Sequence, residues 1–516
     1  MKIKFYITTP IYYVNDVAHI GHSYTTITAD IIARWKRLNN FDVFFVTGTD
    51  EHGEKIVSAA KKKGQTPLAL CDEMSEKFKK IWNLLNISYT NFIRTTEKRH
   101  FIAVEKIVQT LFDKGFIFKK KYEGLYCTGC ERFYSKKDLD KTGCCFFHKT
   151  KPLLQFEENY FFKLSAFQNL ILDRITDPYH KEHIEILPKE RKNEIIGKLK
   201  IGLEDISLSR SIVKWGIPLP FDKEQTAYVW IDALINYVTG LGYPEDINKF
   251  QKYWPADIQL MAKDILWFHA VIWPAILIGV ELSPPKRIYA HGFFTLNGNK
   301  MSKSLSNVIS PQELIDKYGV DATRYIVSTI IPFDSDGDIS WHELTLKYNV
   351  DLANNLGNMI SRIIKMAAKY FNLKTPHKIN NLDLELVKKI SKLLKVSFII
   401  NMNNIQLHKA AQSLQNAITF INKQIEYDTP WKIAKTDTSK LAHHIFSYLQ
   451  AIDVIALYLL PFMPISAKKI WCATGANGNI DEVAKKYFKD FIIPQDGFSI
   501  SGSQLQNMEN LFLRIV

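Results

Sequence analysis

The sequence predicts an α/β protein: a mostly parallel sheet, split by a cysteine-bearing insertion and followed by a helical bundle. Three observations carry that prediction. A strand–helix–strand alternation opens the chain, at about 3–9, 24–38 and 41–47. Strand-like and helical segments return after a long interruption, at 228–231, 264–279 and 287–291. Beyond about residue 350 strand signals thin out and helical periodicity takes over.

Each element has a local reason. Residues 3–9 form a short apolar run stopped by Pro10 and the turn residues Asn15-Asp16. Ile27, Ile31, Ile32, Trp35 and Leu38 recur at helical spacing, and Asn39-Asn40 ends that helix. Phe41 to Thr47 is nearly all apolar, as a strand buried on both faces must be. The helical stretch 67–85 continues the alternation. Tyr228-Val229-Trp230-Ile231 is strand-like, 264–279 an apolar helix, and 287–291 a further strand. Helical segments at 351–371, 382–400, 404–425 and 438–460 make the bundle. The expected division is a sheet domain at 1–115 and 226–295, an insertion at 116–225, a linking region at 296–350 and the bundle at 351–516.

At 516 residues the chain exceeds one core. Apolar residues make up 46% and charged residues 23%, and no run of 18 apolar residues suggests a membrane span. The N-terminal run is too short for a secretion signal, so a reducing, cytoplasmic setting is expected. A net charge of +14 makes nucleic acid the first candidate partner. Its lysines fall in short clusters such as Lys61-Lys62-Lys63, so any such surface belongs to the folded body. Of six cysteines, four fall between Cys127 and Cys145, a clustering that suits metal rather than disulfides. Cys127 and Cys130 form one ligand pair; the second joins His148 to either Cys144 or Cys145, and the four together suit a structural, tetrahedral zinc in a knuckle at 122–150.

Two motifs carry chemistry. His19-Ile20-Gly21-His22 lies between the first strand and its helix, where open α/β sheets bind ligands. The helix end offers N–H groups and partial positive charge to phosphates, Gly21 allows close approach of a purine base, and the two histidines can donate to phosphate oxygens. Lys300-Met301-Ser302-Lys303-Ser304 follows Asn297-Gly298-Asn299, and its two lysines on a flexible loop suit a departing pyrophosphate.

With both motifs in this order, the chain resembles the class I aminoacyl-tRNA synthetases, which carry them on a Rossmann-type sheet. Further segments resemble the methionine-specific family among them. These are Thr8-Thr9-Pro10-Ile11-Tyr12-Tyr13-Val14-Asn15, Thr47-Gly48-Thr49-Asp50-Glu51-His52-Gly53, Tyr228 to Tyr237, and Lys263-Asp264-Ile265 through His269 to Trp273-Pro274. The resemblance implies ATP-dependent activation of methionine and transfer to the 3′ end of tRNA(Met), initiator tRNA included. It implies catalytic roles for His19, His22, Lys300 and Lys303, and ATP contacts from Gly21, His22, Lys303 and Asp264. Ile11, Tyr13, Trp230, Ala233, Leu234, Tyr237 and His269 would line the methionine pocket, with Asp50 on the substrate ammonium. An aromatic cage with one O–H or N–H donor suits a polarizable thioether. Arg210, in Ser209-Arg210-Ser211, is expected to assist the adenylate step. Asn358, Arg362 and Trp431 match the residues that read the anticodon, by hydrogen bonds and by base stacking. The family's single-knuckle form favours Cys145 over Cys144 beside Cys127, Cys130 and His148, with one zinc; Mg²⁺ enters with ATP.

Departures are few. Ala18 stands where the family often has Pro, and Leu513 where its tail has Pro, which leaves the docking of the tail open. No dimerisation module follows, so a monomer is expected. An aliphatic-specific class I relative would carry a much longer insertion, and a non-catalytic tRNA binder would not need the lysine loop.

Overall fold

The computed structural model describes residues 2–127, 132–134, 139–145, 149–300, 308–377, 384–508 and 511–516. The chain opens with β1 (Lys4–Tyr13), α1 (Ile20–Leu38), β2 (Asp42–Asp50), α2 (Glu54–Lys63), α3 (Pro67–Leu84), β3 (Asn91–Arg94) and α4 (Lys98–Asp113). Five consecutive residues of β1 are buried, as befits a central strand covered on both faces. Thr66 caps α3 by accepting the Ala69 N–H, and Pro67 fills its first position, where a missing N–H costs nothing.

Next come β4 (Ile117–Cys127), β5 (Arg132–Tyr134), β6 (Leu153–Phe162), α5 (Gln168–Thr176), β7 (Glu185–Leu187), α6 (Lys189–Ile201), β8 (Ile206–Ser207), β9 (Ser209–Arg210), β10 (Pro218–Leu219) and β11 (Asp222–Ala227). Strands β5, β4, β6 and β8 form their own antiparallel sheet. The chain then gives α7 (Val229–Thr239), α8 (Ile247–Tyr253), β12 (Ile258–Ala262), α9 (Trp273–Gly279), β13 (Arg287–His291), β14 (Phe294–Leu296) and β15 (Asn299–Lys300).

The main sheet has six parallel strands in the order β3-β2-β1-β12-β13-β7. Its edge strand β7 comes from the segment that the sequence assigned wholly to the insertion. The stretch around Tyr228 is a second correction. Only Tyr228 is extended there, as the residue preceding α7, and Val229 onward is helical. All but one residue of α7 is buried, and a helix buried on nearly every side shows the same unbroken apolar run as a strand. The stretch 264–279 is helical but irregular, with a 3-10 turn at Lys263–Ile265 and a π turn at Phe268–Ile272 before α9.

After β15 the chain forms α10 (Pro311–Tyr318), α11 (Val320–Thr329), β16 (Gly337–Ile339) and α12 (Trp341–Lys347). A π-helical segment, Tyr348–Gly357, runs into α13 (Asn358–Phe371). The bundle continues with α14 (Glu385–Asn403), α15 (Leu407–Asp428), α16 (Pro430–Ile433), α17 (Thr438–Leu459), α18 (Pro464–Ala473) and α19 (Ile480–Asp490). No helix among the described residues is long and apolar enough to cross a membrane.

One core runs from the α1 face of the sheet into the bundle, where Trp35 meets Phe398 and Phe488 edge to face. Fully buried Arg324 locks this junction: it pairs with Asp30 of α1 at 2.7 Å and donates to the carbonyls of Leu85, Pro461 and Phe462. A buried guanidinium is tolerable only when its donors are satisfied in this way. The opposite sheet face packs on α4, α7 and α9. The tail docks without the proline: Asn349 exchanges two hydrogen bonds with the Ile515 backbone, and Phe512 meets Tyr348 edge to face.

Candidate active site

A cavity of about 470 Å³ opens at the carboxyl ends of β1, β2, β12 and β13. Ile11 and Tyr13 line it from β1, Asp50 from the end of β2, and His19, Gly21 and His22 from the start of α1. Trp230, Ala233, Leu234 and Tyr237 line it from α7, and Asp264 and His269 from the irregular helix after β12. All the expected methionine-contact residues therefore share one space with the first motif.

That motif folds on itself. The His19 ring accepts the Gly21 N–H through Nδ1 at 3.1 Å, and the His22 Nδ1 accepts the His19 N–H at 3.3 Å. The two histidines thus form a reciprocal cap on α1. The Ile20 N–H is committed as well, to the Ile309 carbonyl at 2.9 Å. The expectation that these first N–H groups meet phosphate directly is corrected: the chain uses them itself. A neutral ring accepting at Nδ1 carries its proton on Nε2. Burial pushes His19 down to about 4 and His22 well below its ordinary value, the latter helped by His19 beside it. Both rings are therefore neutral Nε2–H donors near neutral pH. Gly21 has a packing reason too, since a Cβ there would sit 2.9 Å from the His19 ring.

The α7 wall is aromatic. Trp230 stacks on Phe268 with centroids 3.9 Å apart. The Nδ1–H of His269 donates to the Ile265 carbonyl at 2.9 Å, which leaves Nε2 to accept from the Tyr237 hydroxyl at 2.6 Å. Burial holds His269 down at about 4, so this neutral tautomer persists. The O–H expected to point at a thioether is already spent on His269.

Lys300 lies in β15, which pairs with β14 across a tight turn whose residues Asn297 and Gly298 both have positive φ. Lys303 lies outside the described residues. The chain that follows returns to the cavity: Val308 lines it, and the Ile309 carbonyl holds the start of α1. Arg210 does not line this cavity. It is 3% exposed, forms an ion pair with Glu157 at 2.7 Å and stacks on Tyr126 at 4.1 Å, so the expected help at the adenylate has no support here.

Cys127 and Cys145 are both buried and share a small cluster with Tyr134, while Cys144 is only half-buried. Cys130 and His148 lie outside the described residues. In the bundle, exposed Asn358 begins α13 and half-buried Arg362 reaches Glu426 on the last turn of α15 at 3.7 Å. The chain then crosses Thr429 into Trp431, which is 42% exposed, high for a tryptophan that merely packs.

Several lining residues escaped the sequence reading: Lys55, Tyr134, Asn236, Phe268 and His291. His291 was within reach, as the polar residue ending a predicted strand. Its Nδ1–H donates to the Gly292 carbonyl at 2.7 Å and its Nε2 accepts from Thr25 on α1 at 2.6 Å.

Comparison with known proteins follows the same lines. The family model "tRNA synthetases class I (M)" matches residues 5–145 and 137–364, and "Anticodon binding domain of methionyl tRNA ligase" matches 376–510. The chain is 41% identical to the methionine–tRNA ligase of Caldanaerobacter subterraneus, over 100% of this chain and 79% of that protein. It is 39% identical to that of Rickettsia felis, over 96% of each. The structure of Mycobacterium tuberculosis methionyl-tRNA synthetase in complex with methionyl-adenylate superposes with a TM-score of 0.90 at 34% identity, covering 98% of both chains. On fold, cavity and sequence together, the chain belongs to the methionyl-tRNA synthetase family of class I synthetases.

Proposed function

We propose that this methionine–tRNA ligase activates methionine in the cavity at the α1 N-terminus and passes it to tRNA(Met), including initiator tRNA. The observation that carries the reading is the union of the capped histidine motif and the α7 aromatic wall in one 470 Å³ space. Methionine carboxylate attacks the α-phosphorus of MgATP, forming the adenylate and releasing pyrophosphate. The terminal ribose hydroxyl of the tRNA then attacks the activated carbonyl and AMP leaves.

The residues divide the work by chemistry. His19 and His22 donate from Nε2 to phosphate oxygens as charge shifts toward the leaving pyrophosphate. Lys300 and Lys303 neutralise that pyrophosphate; the position of Val308 on the cavity, with the Ile309 carbonyl at the start of α1, supports this. Asp264 and Gly21 face the nucleotide, and Asp50 pairs with the methionine ammonium. Trp230, Ala233, Leu234, Ile11 and Tyr13 enclose the thioether by shape and polarizability. Tyr237 and His269 brace that wall, their mutual hydrogen bond fixing both rings. Asn358, Arg362 and Trp431 contact the anticodon.

One structural zinc is proposed on Cys127, Cys130, Cys145 and His148. The burial of Cys127 and Cys145 in one cluster supports Cys145 over Cys144 as ligand. When bound, the ion cross-links the insertion and takes no part in the reaction. Purified protein should hold one zinc per chain; folded, active protein without zinc would overturn this. The reading further makes the enzyme a cytoplasmic monomer, which a dimer mass by light scattering would refute.

Amino-acid-dependent ATP–pyrophosphate exchange across all twenty amino acids tests the central claim. Exchange with methionine alone is expected. Exchange with another amino acid instead would keep the activation chemistry and overturn the specificity.

A further inference from the structure

Behind the cavity wall, one carboxylate joins the elements that carry the methionine site. Asp232 Oδ2 lies 2.6 Å from His52 Nδ1, and its Oδ1 lies 2.7 Å from His100 Nε2. Asp232 and His100 are wholly buried and His52 is 2% exposed. Burial alone would raise the Asp232 carboxyl, but the two imidazoles hold it down at about 2, so it stays ionised and accepts from both rings. Such a group is stable inside a protein only while its partners stay in place.

The partners matter for where they sit in the chain. His52 lies two residues beyond Asp50, the end of β2. Asp232 lies on α7, immediately before Ala233 and one turn before Asn236, both of which line the cavity. His100 is in the first turn of α4 and reaches α7 again at Thr239 Oγ1, 3.1 Å away. The residue between Asp50 and His52 is clamped separately. Buried Glu51 accepts from the Thr49 hydroxyl at 2.6 Å and from Arg94 at 2.8 and 3.0 Å, and its carbonyl accepts the Trp215 indole N–H at 2.6 Å. Glu51 and His52, the two residues that follow Asp50, are thus each held by their own buried partners, which leaves Asp50 little freedom in how it meets the cavity.

On the reading that this cavity binds methionine, we propose that Asp232 and His52 are positioning residues, which set the Asp50 carboxylate against the α7 wall and so set methionine affinity. Neither lines the cavity. Misplacing one charge partner by about 1 Å is enough to cost up to roughly 100-fold.

The test compares His52→Leu with His52→Asn in the full chain. Asparagine Nδ2 can donate to Asp232 from nearly the place of the imidazole Nδ1; leucine cannot. Methionine-dependent ATP–pyrophosphate exchange gives KM for methionine and for ATP separately. Leucine should raise the methionine KM about tenfold or more, leave the ATP KM within about twofold, and be largely rescued by asparagine. An unchanged methionine KM in the leucine variant overturns the proposal. So does an equal rise in both KM values, or an asparagine variant as impaired as leucine, since either marks a merely structural role. Asp232→Asn, which keeps shape and removes charge, repeats the test should leucine prevent folding. A parent protein with no methionine-dependent exchange would instead refute the functional reading itself.

Discussion

The imidazoles of His19 and His22 stack with centroids 3.7 Å apart and 20° between their planes, each accepting a backbone N–H of the same helix start. Only neutral rings can do this, because protonation removes the Nδ1 lone pair and sets two positive charges face to face.

A pH dependence follows. Four histidines, half-buried His19 and His22 and buried His269 and His291, bind protons less readily when folded, three of them with values near 4. Between about pH 6.5 and 4 the unfolded chain therefore binds more protons, and stability falls as pH falls through that window. Thermal midpoints should drop across it, and His19→Gln should drop less steeply. Parallel curves for the two proteins would sink the assignment.

Gly21→Ala should be more damaging than a glycine-to-alanine change at a helix start usually is. The new methyl meets the His19 ring at 2.9 Å and must displace the cap. On the proposed role of His19 as a donor to phosphate, exchange kcat should fall by roughly 10-fold or more, with the circular dichroism spectrum unchanged. Retained kcat would show that the ring can move freely.

Trp230→Ala removes one stacked face of the cavity wall. Loss of such a side chain is worth roughly 1.5–3 kcal/mol, or about 10- to 100-fold in methionine KM. ATP KM should change little; equal effects on both would count against a pocket role.

Asp453 carries a different pH signature. Burial raises its carboxyl to about 8, although the Thr474 and Ser499 hydroxyls donate to it. It stays protonated when folded while the unfolded chain ionises near 3.8. Stability contributed here is full below that value and drains away as pH rises to 8, at about 1.4 kcal/mol per pH unit. Asp453→Asn should flatten that slope in thermal melts between pH 5 and 8. A slope unchanged by the substitution would exclude the group.

On the proposed anticodon role, Trp431→Ala should lower the rate of tRNA charging by roughly 10-fold or more, the equivalent of losing about 1–3 kcal/mol of base stacking. Amino-acid activation should not change, because Trp431 lies on the bundle and not at the cavity. Impaired exchange would instead indicate misfolding.

Periodicity and motif order, both local properties, made the alternating sheet, the bundle and the residues around the cavity legible in the sequence. The apolar spacing of α1 and the Asn39 that ends it needed no tertiary information. The run at Tyr228 did, because an apolar stretch reads alike in a buried strand and a buried helix, and only the neighbours packed around α7 decide. The same holds for β7, three residues too short to announce their place at the sheet edge. Roles that depend on who sits beside whom were likewise invisible: Arg210 against Glu157, Arg324 at the junction with the bundle, and Asp232 between His52 and His100. A charged residue in the sequence looks solvated until its partner, 53 to 294 positions away in the first two cases, is brought within 3 Å. The sequence by itself determined which chemistry is present and on which elements; the tertiary structure alone decided which polar groups meet, because burial makes each of them depend on a distant partner.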